Sequence, residues 1–470
     1  MATTETKIES EQPADAEPLE ATLRAELPAP LAVGRGTAFY LAGGCDPRVD
    51  GDSLELSLGM LSAPAVAGPP PGEATTGSGS GRSWWGLLDV PEGSLPEGPH
   101  AVELRGRLDG RAVAADLGSV SVVAYDASLV PPAPSVVVPA GEQLIAICMA
   151  THEPDPERLA LQLDSIRDQD WPAWVCVISD DASSPGSYAE LQRLTEEDPR
   201  FVVSRSERRL GFYRNFERAL RMAPIEAAWV ALSDQDDRWH PDKLSALRAA
   251  LAARPGARLA YSDMRMLDEH GEVVSDTYWI LRRNNSSNLT SMLIANTVTG
   301  AASLFDRSLL DCALPFPPAV GTAYHDHWLA LCALASGGLA YLDRPTYDRV
   351  RHLGSVTADT AHARALHRMR GSDDAPERRA QPRTPPAEVY VDGYLRPAQS
   401  ARVLALRLGD RLDPGHSRAL RRFLALDTSS LGPFRLGLRS LRQLAGRTET
   451  LGRERALARA LLWRGGRARG

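Results

Sequence analysis

Between Gln143 and Asp237, four short apolar runs alternate with three amphipathic stretches, and this alternation restricts the fold more than any other feature of the chain. "LIAICMA", "WVCVISDD", "FVVSR" and "AAWVALSDQDD" read as strands of a sheet covered on both faces. Between them, "DPERLALQLDSIRDQ" places Leu159, Leu163 and Ile166 at i, i+4 and i+7, one face of a helix, and "SYAELQRLTEE" and "FYRNFERALRMA" read as helices too. A βαβαβαβ order predicts an α/β domain built on a doubly wound, mostly parallel sheet. Its functional loops belong at the carboxyl ends of the strands. Thr151, Asp180, Asp181 and the cluster Asp234, Asp236 and Asp237 each fall just after a strand.

The pattern continues with the strand "ARLAYSDMRML", the helix-like "NLTSMLIANTVTG", the strand "AASLFD" and a helix in "DHWLALCALASG". Residues 1–33 are acidic and poor in large apolar side chains, which predicts disorder. From 34 to 128, short alternating runs separated by turn signals predict a small β-sandwich. Residues 129–142 form a Pro-rich linker, 143–370 the α/β domain, 371–390 a second linker, and 391–470 a helical, arginine-rich region. That last region reads equally as a contact for anionic lipids or as a packing or oligomerisation appendage.

A net charge of -7 gives no reason to expect a nucleic-acid binder. The five cysteines show no C-x-x-C spacing, and the N-terminus has no apolar core of a signal peptide, so a cytoplasmic protein is expected. No run of about 18 apolar residues is present; any membrane association would be peripheral, on the inner face.

Three carboxylates in four residues after a strand repel one another and call for full solvation or a cation. This block, "LSDQDDRWHPDKL", stands in one order with "MATHEP", "ISDDAS", "NTVTGAASLFDRSLL" and "YHDHWLAL". In this order the motifs resemble family 2 glycosyltransferases with a GT-A fold, particularly the bacterial rhamnosyltransferase-like branch, over roughly Gln143 to Ala358. The resemblance implies a nucleotide-diphosphate sugar donor contacted by Thr151, Asp180, Asp181, Gly211, Arg214, Asn215 and Asp234. It implies a Mg or Mn ion held by Asp236, with Asp234 and with His352 of "YDRVRHLGSVTA". It implies Asp326 as general base, with His325 and His327 as alternatives, and an inverting transfer of rhamnose, galactofuranose or another hexose to a cell-surface glycan or lipid-linked acceptor. Helix capping is the plain alternative for the Asp180–Asp181 pair and for Asp326. Two other functions are compatible with such a chain: a nucleotidyltransferase, and a non-catalytic glycan-binding protein.

Overall fold

The computed structural model describes residues 16–24, 27, 30–33, 35–68, 82–124, 138, 141–268, 270–280, 282–350 and 384–467. The N-terminal part is a sandwich. Its strands are β1 (Glu17–Pro18), β2 (Ala21–Leu23), β3 (Leu31–Val33), β4 (Thr37–Cys45), β5 (Glu55–Leu58), β6 (Leu61–Pro64), β7 (Val66–Ala67), β8 (Arg82–Val90), β9 (Gly98–Leu108) and β10 (Arg111–Ala124). One sheet runs β1-β10-β9-β5-β6, with β3 also on β10; the other runs β2-β4-β8-β7. Phe39, Leu41, Leu56, Trp84, Leu88 and Leu104 fill the space between them. Three short strands lie within the stretch whose composition predicts disorder. They are held by sheet edges already formed, as in the parallel pairing of Glu17 with Val113, a tertiary influence that local composition does not register.

The α/β part begins with β11 (Ile145–Thr151), α1 (Pro156–Arg167), β12 (Trp174–Asp180), α2 (Pro185–Thr195), β13 (Phe201–Arg205), α3 (Phe212–Arg221) and β14 (Trp229–Ser233). It continues with β15 (Asp237–Trp239), α4 (Lys243–Ala253), β16 (Ala257–Leu267), β17 (Val273–Ser275), α5 (Leu289–Ile294), β18 (Ser303–Asp306), α6 (Leu310–Ala313), α7 (His325–Ser336) and β19 (Gly338–Val350). The sheet order is β13-β12-β11-β14-β18-β16-β19-β15. Its first four strands are parallel, as the alternation predicts. The second half is mixed: β18 is antiparallel to both β14 and β16, and β15 is antiparallel to β19. The helix expected over "NLTSMLIANTVTG" stops at Ile294, which frees Asn296 to Gly300 to form a loop.

The C-terminal helices are α8 (Pro386–Tyr390), α9 (Arg396–Leu408), α10 (Pro414–Leu424), α11 (Gly432–Ser440) and α12 (Arg453–Arg467). They do not stand apart as an appendage. Tyr390, Leu395, Ala401, Leu404, Phe423 and Leu461 belong to the same hydrophobic core as the α/β sheet. Arg407, 7% exposed, donates to the carbonyls of Gly36, Cys312, Ala313 and Pro315, so one side chain of α9 binds the sandwich side and the α/β part together. Gln399 does the same between Ala38 and Pro318. All five cysteines are buried and unpaired.

Candidate active site

A cleft of about 620 Å³ opens at the carboxyl ends of β11 and β14, within the size range of small-molecule sites. Thr151, His152, Asp181, Gly211 and Asn215 line one side; Asp234, Asp236, Asp237 and Arg349 the floor; and Tyr278, Trp279, Arg282, Asn296, Tyr324, His325 and Asp326 the other side. His352 lies outside the described residues.

On the first side, several expected ligands turn out to be braces. Asp180 is fully buried and does not line the cleft: it accepts the Ser183 N–H at 3.0 Å, the Ser183 hydroxyl at 2.6 Å and the Thr151 hydroxyl at 3.3 Å. Its oxygens are spent inside the protein. Neither it nor Asp181 caps α2; Ser184 does. Asp181 does reach the cleft, where its carboxylate accepts the N–H groups of Leu210 and Gly211 at 2.5 and 2.8 Å. Gly211 takes φ +80°, a conformation glycine adopts without penalty, and this lets the chain turn into α3. Arg214 points away from the cleft: it donates to Glu217 and to the carbonyls of Phe316 and Pro317. Asn215 lines the cleft but spends its amide on the Thr151 and Ser179 carbonyls and accepts the Ser179 hydroxyl, binding α3 to β11 and β12. Helix geometry separates the directions of the adjacent Arg214 and Asn215, and packing decides which of the two faces the cleft.

The floor is a charge problem solved locally. Gln235 bridges to both backbone groups of His152, at 2.8 and 3.3 Å, and so pins the acidic block to the end of β11. Burial, then the Asp236 charge, pushes Asp234 up to about 6. Asp237 is raised well above the carboxylate range by burial first, then by Asp234 and Asp236, and its buried Oδ2 accepts no hydrogen bond among the described residues. It lies in β15 and caps nothing; Asp242 occupies the N-cap position of α4. Two basic side chains face this block, Arg349 and Lys243, the latter pushed well below the ordinary lysine range by burial against the opposing pull of Asp237 and Asp234. Arg349 reaches it because Asp237 pairs with Arg349 between β15 and β19, and Lys243 is fully buried with its amine over the Trp239 ring at 3.6 Å and donating to the Ala301 carbonyl. Behind them Asp348 accepts both Arg265, through paired bonds at 2.7 Å, and His240 at 2.8 Å. Neither β15 nor β19 follows from the apolar pattern, so Arg349 escapes notice in the sequence.

Among the described residues no three His, Cys, Asp or Glu side chains are gathered to hold an ion by themselves. The donors are hard carboxylate oxygens, one of them unpartnered, at a cleft large enough for phosphates. Mg and Mn sites need little more: one or two carboxylates, the rest of the shell being waters and substrate phosphate oxygens. The residues present therefore fit an ion that is completed by its substrate.

Across the cleft, Asp326 is the second residue of α7, whose N-cap position is Tyr324 with no capping side chain. Burial pushes its carboxyl up to about 7, with Asp234 adding to the rise and the His327 N–H opposing it. Asn296 Nδ2 donates to it at 3.1 Å and the His327 N–H at 2.6 Å. The two neighbouring histidines are poor bases. His325 is stacked on Phe216 at 3.7 Å, has no hydrogen-bond partner for either ring nitrogen among the described residues, and is lowered to about 3 by burial. His327 is lowered to about 4 by burial, bonds the Met292 carbonyl and does not line the cleft.

The cleft that Asp326 lines also carries an aromatic wall that no motif announces. Asp263, itself buried, accepts the N–H of Tyr278 at 3.0 Å and the Thr277 hydroxyl, and so fixes the loop carrying Tyr278 and Trp279. The two rings meet edge to face at 5.3 Å.

With this geometry in place, residues 146–314 match the sequence model of the family described as Glycosyl transferase family 2. The match is to the family, without distinction of branch. An uncharacterized protein, y4gI, of Sinorhizobium fredii is 30% identical over 129 residues; the similarity spans 27% of this chain and 14% of that protein. Among solved structures, S. aureus TarS 1-349 in complex with UDP-GlcNAc is similar over 69% of this chain and 92% of its own, with 16% identity and a TM-score of 0.39. Mannosyltransferase PcManGT from Pyrobaculum calidifontis in complex with GDP-Man and Mn2+ is similar over 71% and 89%, with 20% identity and a TM-score of 0.36.

Proposed function

We propose that this chain, in which residues 146–314 form a family 2 glycosyltransferase domain of GT-A fold, transfers a sugar from a nucleotide-diphosphate donor to an acceptor hydroxyl with inversion. One observation carries the reading: a carboxylate raised to about 7, Asp326, shares a single cleft with the acidic block Asp234–Asp237.

The nucleoside lies against Thr151, His152 and Asp181, with the diphosphate directed toward Asp236. Asp236 would hold an Mg or Mn ion, which when bound would supply positive charge for the leaving diphosphate. Asp236 would be the direct ligand and Asp234 would share the ion or the ribose, while Arg349 offsets the charge of the block before donor arrives. The acceptor lies on the aromatic wall, and Asp326 takes the proton of its hydroxyl as the oxygen attacks the anomeric carbon. The C–O bond to the diphosphate breaks on the opposite side. A single in-line displacement needs one base and no protein nucleophile. His325 and His327 are held neutral and cannot hold the proton near pH 7 as well as Asp326 does. The acceptor is read as a hydroxyl of a cell-surface glycan or of a lipid-linked precursor.

The test is a panel of nucleotide sugars scored by the rise in melting temperature with and without Mn, since a bound donor stabilises by mass action. A panel member that stabilises the protein should then release its nucleoside diphosphate on turnover. Release of pyrophosphate would instead identify a nucleotidyltransferase, and binding with no turnover on any acceptor a glycan-binding protein.

A further inference from the structure

Helix α11 and the turn that follows it present an apolar row to solvent: Leu431, Phe434, Leu438, Leu441 and Leu444 are 54%, 64%, 52%, 56% and 87% exposed. The steps of three and four residues put them on one face. The opposite face is already engaged, with Leu436 2% exposed and Gly432 packed against the backbone of Leu426. The row is therefore not an unfilled part of the core. A contiguous apolar strip of this kind marks an interaction surface.

Its charged surroundings identify what it meets. From Pro414 to Arg464 there are eleven arginines and three acids. Each acid is already paired inside the protein: Asp427 with Arg464, Glu449 with Arg442 at 2.9 Å, and Glu454 with Arg439 at 3.7 Å. Exposed arginines of the segment, among them Arg435 within α11 and Arg447 just beyond Leu444, are left with no acid of their own segment to offset them. A second copy docked through the same strip would bring like charge onto like charge. An anionic bilayer satisfies both features at once: the leucines and Phe434 enter the headgroup boundary and the arginines meet lipid phosphates.

We infer that the face formed by Leu431, Phe434, Leu438, Leu441 and Leu444 docks the protein on an anionic lipid surface. Docking there sets the cleft beside the bilayer, because the same segment continues into Thr448 and Glu449. Arg283 N–H donates to the Thr448 hydroxyl at 3.0 Å, and Arg282, on the cleft wall, donates to the Glu449 carbonyl at 3.3 Å. No helix among the described residues is long and apolar enough to cross a membrane, so this contact is peripheral.

The experiment is co-sedimentation of the full chain with phosphatidylcholine vesicles containing or lacking phosphatidylglycerol. Binding at least tenfold stronger to the anionic vesicles, weakening as salt rises, is expected. Leu438→Asp/Leu441→Asp/Leu444→Asp and, separately, Arg435→Glu/Arg447→Glu should each lose about tenfold or more, with unchanged melting temperature and unchanged nucleotide binding. A parent that ignores anionic vesicles, or a triple aspartate variant that binds them as the parent does, overturns the inference. So does a dimer in sedimentation velocity that the triple variant abolishes while lipid binding is absent, which assigns the strip to a second copy. Vesicle binding is read without any sugar donor, so loss of the transferase reading leaves this result unaffected.

Discussion

Asn296 Nδ2 stands 3.1 Å from Asp326 Oδ1, and the same amide group donates to the Val298 carbonyl at 2.8 Å while its oxygen accepts the Val298 N–H at 2.9 Å. A loop residue braced against its own backbone thus sets the direction of a carboxylate on the next helix. The early end of α5 makes this contact available.

Asp326→Asn keeps the size of the side chain and removes the base. Transfer should fall by about 10² or more, while donor binding stays nearly unchanged. Steady-state kinetics beside calorimetry with nucleoside diphosphate checks this; a variant that transfers at close to the parental rate moves the base elsewhere.

The pH dependence follows from the raised carboxyls. Transfer should rise with pH until Asp326 is ionised and level off above about 7. Stability of the ligand-free protein should change in the opposite direction. Asp234, up to about 6, and Asp326, up to about 7, hold protons in the folded state that the unfolded chain has already lost, so stability is greatest below the ordinary carboxylate range and falls as pH rises through 6 and 7. Asp326→Asn should flatten the upper part of that fall in a series of melts, and a curve as steep as the parent's would contradict the assignment.

Asp236→Ala should abolish the stabilisation that Mn adds to nucleoside diphosphate binding without unfolding the free protein, because the residue is only half-buried at an open cleft. Calorimetric affinity that still depends on Mn to the same degree would transfer the ligand role to Asp234 or Asp237.

Lys243→Met removes the donor to the buried Ala301 carbonyl and should destabilise the protein by about 1–3 kcal/mol, the cost of leaving a buried acceptor without its partner. The side chain is fully buried among Trp239, Tyr347 and the Ala301 carbonyl, and burial pushes its amine well below the ordinary lysine range against the opposing pull of Asp237 and Asp234. Denaturant titration measures the loss, and a midpoint within error of the parent would show that the Ala301 carbonyl does not depend on this donor.

Removing the region after Gly371 should leave a chain that aggregates, since α8 to α12 complete the core of the α/β part. A milder probe is Arg407→Ala, which strands four carbonyls and should cost about 3 kcal/mol or more, against little effect for the exposed Arg435→Ala. Equal melting temperatures for the two variants would disprove the bracing role.

Periodicity and strand-end position made the α/β half legible. Apolar runs that must be buried on both faces are recorded residue by residue, and the loops after them carry Thr151, Asp181 and Asp234 into one cleft wherever the parallel order is kept. The density of carboxylates in "SDQDD" announces a need for positive charge before any packing is known. Which atoms answer that need is a different matter. Asp180 and Asp181 are adjacent and chemically identical, yet one is saturated by Ser183 and Thr151 and the other faces the cleft. Arg349 enters the site through an antiparallel pairing with a strand more than a hundred residues earlier, and Trp279 through a loop fixed by Asp263. Local sequence determined the first four strands of the α/β sheet, the helices between them and the surplus of negative charge, because those depend on each segment's own burial and composition. Only tertiary structure decided which polar groups were consumed by neighbours and which were left facing the cleft, because hydrogen-bond capacity is spent in three dimensions among residues far apart in the chain.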